Sequence, residues 1–393
     1  MIWQRLTDRF YEEFGRDGQL RRFFTPGRVN LIGEHIDYNG GRVFPCALDI
    51  GTYAVVRPRE DYVVRFVSTN MTFKNEVDIS AIVYDKGDGW TNYPKGTIKM
   101  LQDHLTENGK DASVIKGMDI IYEGNIPNGS GLSSSASIEV LTAMIVNELW
   151  DLNLSMIDLV KLCQKGENTF NGVSSGIMDQ FAVGMGKKDF AISLNTDTLA
   201  YDYVPCVLED AVLIIGNTNK KRGLADSKYN ERLAECRAAL AEVQKVKAVN
   251  HLCDLSATEW QEVKQAVSEG ILRNRAEHCV LENERVKEAI AVLQKNDLVR
   301  FGQLLNASHD SLRDLYDVTG IELDTMVEEA RKINGVYGSR MTGAGFGGCT
   351  VSLVKKEAAE HFQKQVGAAY EAKTGLKPEF YLVNIGDGAR EVK

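Results

Sequence analysis

Apolar residues recur at every fourth position at the amino terminus. Ile2, Leu6, Phe10 and Phe14 share one face of a helix, with Arg, Asp and Glu between them. Further on the period shortens. Arg42–Ala47, Thr52–Arg57 and Val63–Ser68 are rich in β-branched residues and predict strands, as does Ala112–Tyr122. Across Ser133–Trp150 the spacing turns helical through Ile138, Leu141, Ile145 and Leu149, with serine available as a cap. Ala191–Leu194 and Val212–Gly216 again predict strands. From about Lys228 to Gly335, Ala, Glu, Lys, Arg and Leu dominate amphipathic stretches such as Tyr229–Val246 and Asn283–Gln294, whose charges read as solvated helix faces. Strand signals return at Gly348–Val354 and Glu379–Asn384. The pattern predicts an α+β protein: a strand-rich first half, then helices on a small sheet, with a domain boundary near residue 205.

Composition narrows this only slightly. A chain of 393 residues suits two domains or one large one, and 44% hydrophobic with 26% charged residues is an ordinary globular balance. The formal net charge of −9 argues against nucleic acid or an anionic membrane as the main partner, but leaves room for a local nucleotide pocket. The first helix lacks the unbroken apolar core of a signal peptide, and no run of 18 apolar residues predicts a membrane span. The seven cysteines are scattered without a CxxC pair, which predicts a reducing, cytoplasmic setting and no zinc ribbon. Cys163 and Cys349 read as buried small hydrophobes. The histidines show no HxxxH spacing. Nothing in the sequence marks a dimer interface, and a monomer is favoured.

Three glycine-bearing segments carry candidate chemistry. The first, Pro26 to Asn39, crowds Arg28, Glu34, His35 and Asp37 beside glycines. It suits either a site for a small hydroxylated ligand, whose hydroxyls both donate and accept, or a solvated polar loop. The second, Gly124 to Ser137, places glycines and serines before a helix, where free N–H groups and the dipole favour an anion. It reads as a phosphate cradle or as a capped glycine-rich turn. It is not a Walker A loop, because no Lys-Ser or Lys-Thr follows the glycines. The third, Arg340 to Cys349, has four glycines in six positions. That is unlike a regular strand and suits close backbone approach to a phosphate, a substrate or another strand. Between the second and third, Glu167 and Asp179 lie twelve apart; either a loop brings both to one site, where Asp179 would act as base or orient a hydroxyl, or Asp179 is a cap or turn residue.

Together these segments closely resemble the galactokinases of the GHMP kinase superfamily. PGRVNLIGEHIDYNGG at 26–41 is similar to the galactokinase signature, PNGSGLSSSAS at 127–137 to the superfamily's ATP loop, and MTGAGFGGCTVSLV at 341–354 to its third motif. SSGIMDQF at 174–181 and DSKYNER at 226–232 also match, and all five stand in the expected order. The resemblance implies an ATP- and Mg²⁺-dependent kinase for the anomeric hydroxyl of galactose. It implies a first domain (1–205) like ribosomal protein S5 domain 2 and a ferredoxin-like second domain (206–393), whose last strand returns to the first. The active site would lie in the cleft between them.

The resemblance also implies roles. Arg28 would stabilise the transferring phosphoryl group, and Asp179 would receive or orient the proton of the hydroxyl. Because a sugar hydroxyl is a far weaker acid than a carboxylic acid, orientation or late transfer suits Asp179 better than strong base catalysis. Glu34, His35, Ile36, Asp37, Gly176 and Tyr229 would form the sugar pocket. Pro127, Gly129, Ser130, Gly131, Leu132, Ser133, Ser134 and Ser135 would wrap the phosphates, with Ser68 and Trp90 on the nucleotide side. Ser135 and Glu167 would hold Mg²⁺. Val173-Ser174-Ser175 before Gly176 departs from the usual pattern and bears on sugar preference. The rival readings are a sister kinase acting on N-acetylgalactosamine or L-arabinose, and a non-catalytic sugar sensor. The complete Gly131–Ser137 run, with Arg28 and Asp179 both present, speaks against the sensor.

Overall fold

In the computed structural model, residues 2–127, 131–173, 175–220 and 225–393 are described. Helix α1 (Ile2–Phe14) is followed by strands β1 (Arg21–Asn30), β2 (Arg42–Val43), β3 (Pro45–Pro58), β4 (Val63–Ser68) and β5 (Asn75–Asp78). Next come α2 (Asn92–Glu107), β6 (Met118–Gly124), and helices α3 (Ser134–Leu149), α4 (Met156–Thr169) and α5 (Met178–Met185). Strands β7 (Phe190–Asn195), β8 (Tyr201–Pro205) and β9 (Ala211–Asn217) lead into α6 (Ala225–Val243), α7 (Ala257–Val263), α8 (Ile271–Leu293), α9 (Leu298–Ser311) and α10 (Ile321–Arg331). The chain closes with β10 (Val336–Thr342), β11 (Cys349–Lys355), α11 (Ala359–Thr374), β12 (Glu379–Val383) and β13 (Arg390–Glu391).

Three sheets organise these elements. The largest has the order β13-β1-β3-β6-β4-β5, and β13 joins it at Phe23 and Phe24 of β1. One face is covered by α1 through Leu6 and Phe10 on Val55, Val67 and Ile121. The other face is covered by α2, α3 and α4, whose Ile98, Leu101, Val140, Leu141, Leu159 and Cys163 pack on Ala54, Val56, Phe66 and Ile120. Strands β2, β7 and β8 form a small second sheet. The third, β10-β11-β9-β12, is antiparallel and backed by α10 and α11 through Met326, Phe362, Val366 and Tyr370. The largest core cluster runs between the halves of the chain, from Val29, Ile32 and Phe44 to Trp260, Val280, Phe301 and Met341.

Three local expectations change. The strand predicted from Ala112 begins only at Met118, because the Asp111 carboxylate accepts from Ser113 N and turns Ala112–Val114 into a short 3-10 helix. The stretch Arg42–Ala47 is split between two sheets: β2 pairs with β7, whereas Pro45, which has no N–H, opens β3 beside β1. The first half is also richer in helix than its pattern suggests. Helix α4 starts at a capping box, with Ser155 and Asp158 each bonding the other's backbone N–H. Cys163 and Cys349 are fully buried.

Candidate active site

The first glycine segment leaves the sheet through a bulge. Register between β1 and β3 shifts between Pro26 and Arg28, and a Cβ on Gly27 would meet the Leu132 carbonyl at 2.9 Å. The bulge aims Arg28 across the sheet end, and its backbone N–H donates to Leu132 O at 3.2 Å. The buried guanidinium then spans two elements. Nε and Nη2 donate to Asp179 Oδ1 at 2.9 and 2.7 Å, and Nη1 donates to Gly131 O at 2.5 Å.

Asp179 stands in the first turn of α5, and its other oxygen accepts from Ser133 Oγ at 2.5 Å. Ser133 is the residue before α3, in the left-handed region at φ 60°, and its hydroxyl makes no cap bond. The capping role expected of this serine is displaced by the bond to Asp179. A non-glycine residue held at positive φ is strain that the surrounding contacts sustain.

The third glycine segment forms the turn between β10 and β11 and closes on the other two. Glu34, buried, takes Gly343 N at 2.7 Å, Thr342 Oγ1 at 3.0 Å and Arg340 Nη1 at 3.5 Å on Oε1, and Asn30 Nδ2 at 3.1 Å on Oε2. Gly343, at φ +84°, would bring a Cβ within 3.0 Å of Gly131 O. Ala344 O accepts from His35 Nε2 at 3.2 Å, so the Nδ1 of that ring is left to accept from Tyr38 OH at 2.7 Å. The His35 ring lies against Tyr316 and Tyr229. Burial, with His278, Arg232 and Arg340 close by, pushes His35 down to about 3 and keeps the ring neutral.

Asp37 is half-buried beneath Gly176, where a Cβ would stand 2.0 Å from its Oδ2, so only glycine fits there. Loss of water, then the charges of Asp179 and Glu34, push its carboxyl up to about 7. Between its unfolded value of about 4 and this folded value, the folded chain holds a proton that the unfolded chain does not. Stability through Asp37 therefore falls as pH rises across that window. Asp37→Asn is expected to flatten this part of the stability–pH curve and to exceed the unsubstituted chain in stability above pH 7. Denaturation midpoints measured in a pH series check this, and an unchanged slope counts against it.

Glu167 ends α4 facing Asp179 and Ser135. Its Oε2 accepts from Gln180 Nε2 at 2.7 Å and Ser175 Oγ at 2.8 Å, and the Ser135 side chain also bonds it. Burial raises its pKa, and the charge of Asp179 adds to that. Ile36 has its side chain wholly in the core. Tyr229 packs edge-on to Tyr38 at 5.2 Å. Trp90 lies edge-on to Phe66 and Tyr122 beside the end of β4, where Ser68 Oγ accepts from Asn70 N. Leu132 is buried, Ser134 exposed, and Pro127 and Ser135 half-buried. Gly129 and Ser130 lie outside the described residues.

Side chains that no motif singled out complete the arrangement. Glu282 accepts from Gly33 N at 2.9 Å and from Ser308 Oγ at 2.6 Å; burial works against its charge, but Arg285 and His278 hold it down to about 2. His278 Nε2 donates to Glu34 O at 3.1 Å. These come from α8, so the helical region clamps the loop of the first segment. A Glu and a His on the buried side of a helix were the available signal.

The arrangement is matched in known proteins. Three family models fit: the galactokinase galactose-binding signature over residues 8–58, the GHMP kinases N terminal domain over 92–187, and the GHMP kinases C terminal over 289–372. The galactokinase of Fusobacterium nucleatum is 53% identical over 395 residues, covering 99% of this chain and all of that protein. The chain belongs to the galactokinase family. Another member, the galactokinase of Clostridium beijerinckii, is 54% identical over 98% of both chains. The crystal structure of the Lactococcus lactis family member complexed with galactose superimposes with a TM-score of 0.95 at 45% identity, covering both chains completely. The Methanococcus jannaschii mevalonate kinase, at 18% identity and a TM-score of 0.67, shares the fold. The two-domain α+β fold expected from the motifs is therefore that of the GHMP kinases.

Proposed function

We propose that this chain transfers the γ-phosphoryl group of ATP to the anomeric hydroxyl of α-D-galactose, releasing galactose 1-phosphate and ADP. The observation that carries the reading is the Arg28 guanidinium, which joins Asp179 to the carbonyl of the ATP loop at Gly131. In phosphoryl transfer the protein supplies position and charge more than covalent chemistry. Arg28 meets the negative charge of the transferring group. Asp179, with part of its side chain open, orients the sugar hydroxyl and takes up its proton as the new O–P bond forms and the bond to the β-phosphate oxygen breaks. Pro127, Gly131, Leu132, Ser133 and Ser134, together with Gly129 and Ser130, present the loop and helix end to the phosphates. Ser68 and Trp90 lie on the base side. Asp37, the backbone at Ile36 and Gly176, and Tyr229 line the sugar, with Glu34 and His35 behind them holding the third glycine turn in place.

A divalent cation fits the donor set. Ser135 and Glu167 are adjacent, and Glu139 Oε1 and Gln180 Oε1 beside them are buried without a partner. Among the described residues no group of three or more His, Cys, Asp or Glu is arranged to hold a metal. Ser135 and Glu167 are the residues that would hold the cation. Mg²⁺ bound there supplies neutralisation of phosphate charge. In this reading residues 1–205 form the first domain and 206–393 the second, and the seven buried cysteines suit a reducing cytoplasm. Among the described residues no helix is long and apolar enough to cross a membrane.

The test is ADP release with ATP and Mg²⁺ and, separately, galactose, N-acetylgalactosamine, L-arabinose and glucose. Release with galactose alone is expected. Release only with another sugar replaces the substrate, and galactose binding without release with any sugar makes the chain a sensor.

A further inference from the structure

Glu139 lies on α3 four residues after Ser135, on the same face of the helix. It is 1% exposed and packed among the apolar residues that join α3 to the sheet. A carboxyl in such a place costs stability unless its oxygens are satisfied, and a well-packed apolar side chain would cost less. Here one oxygen, Oε1, has no partner at all. The other, Oε2, accepts from Gln180 Nε2 at 3.2 Å.

Gln180 is fully buried and follows Asp179 directly. Its amide nitrogen carries two hydrogens, and the structure gives it two acceptors: Glu139 Oε2, and Glu167 Oε2 at 2.7 Å. Its amide oxygen has no partner. Among the described residues, Glu139 is, apart from Glu167 itself, the hydrogen-bond partner that fixes the rotation of this amide. Without Glu139 the amide is free to turn, and Glu167 loses a donor that sets the direction of its carboxylate. The bridge joins α3, α4 and α5 through Glu139, Gln180 and Glu167, the helices that also carry Ser135 and Asp179.

We propose that Glu139 is a positioning residue for phosphoryl transfer: it fixes the Gln180 amide, and the amide fixes the Glu167 carboxylate assigned above to the divalent cation. This rests on that metal assignment. Outer partners of a metal ligand set its orientation, and their loss costs metal affinity more than it costs distant binding.

The test uses Mn²⁺ as probe, with a non-hydrolysable ATP analogue on the full chain, and reads bound Mn²⁺ by electron paramagnetic resonance. Glu139→Ala is expected to weaken Mn²⁺ binding by about 10- to 100-fold. Galactose affinity, read by calorimetry, is expected to stay within about twofold, because the bonds of Glu139 run to Gln180 and not to a residue assigned to the sugar. Glu139→Gln, which keeps an acceptor for Gln180, is expected to stay within about threefold of the unsubstituted chain for Mn²⁺. Should Glu139→Ala fail to fold, Gln180→Leu breaks the same bridge and carries the same expectation. A folded Glu139→Ala or Gln180→Leu protein with a lowered Tm and unchanged Mn²⁺ affinity makes Glu139 a core residue only and overturns the proposal. So does Glu139→Gln falling as far as Glu139→Ala. Failure of the metal assignment is read separately: Glu167→Ala then leaves Mn²⁺ binding unchanged, and the inference about Glu139 falls with it.

Discussion

Arg28→Ala is expected to lose turnover by about a thousandfold or more while sugar and nucleotide still bind, as for an arginine that stabilises a transferring phosphoryl group. The guanidinium is buried and makes three bonds, two to Asp179 and one to Gly131 O. Its removal takes away the positive charge at the reaction centre. It also frees the Asp179 carboxylate, which then keeps only its bond from Ser133. Both losses act on the step and not on ground-state binding, so kcat falls and the KM values change little. Arg28→Lys does not rescue, because one ammonium cannot reach Asp179 and Gly131 O together with the planar fork that spans them. Steady-state ADP release and calorimetric affinities for galactose and nucleotide decide the matter. A large rise in either dissociation constant with kcat retained would place Arg28 in binding alone.

The second large effect is on stability. Arg340→Ala is expected to cost about 3–5 kcal/mol, the usual consequence of breaking one side of a buried ion pair. Arg340 is fully buried and carries Nη1 to Asn30 O, Leu31 O and Glu34 Oε1 at 2.9, 3.2 and 3.5 Å. It ties the third glycine segment to the first. Its loss leaves two main-chain carbonyls and a carboxylate without this donor, at a site water does not reach. Urea midpoints report the loss. The paired change Arg340→Met with Glu34→Gln is expected to recover much of it, because the charge without a partner is gone. Galactose affinity is expected to stay impaired in that pair, since the carboxylate that held Gly343 N is gone. Equal destabilisation by the single and paired changes would show that packing, not the ion pair, sets the cost.

Much of the site was legible because glycine and proline leave marks that a lone aspartate does not. Gly27, Gly131 and Gly343 could be read as places of close approach, and each stands against backbone of another segment. The amphipathic period of α1 was likewise visible, since one buried face imposes its period on the chain, and α3 was visible as a long apolar run buried on all sides. Residues 112–117 were misread because their side-chain to backbone bonds override strand propensity. Helices α2 and α4 were not read from the sequence although each has a buried apolar face, Ile98, Leu101 and Leu105 in α2 and Leu159, Leu162 and Cys163 in α4.

By itself the sequence determined the elements with a strong period, the three glycine turns and the residue types gathered around Arg28 and Asp179. These are local properties, set by sterics and by which side chains are adjacent along the chain. Only the tertiary structure decided that the Ser133 hydroxyl leaves its helix cap for Asp179, that both nitrogens of His35 are spent on Tyr38 and Ala344, and that Glu282 from α8 holds Gly33. Apart from the bond between His35 and Tyr38, each of these joins positions tens to hundreds of residues apart. The energy that selects them comes from satisfying polar groups that folding has removed from water, and that account closes only when every element is in place.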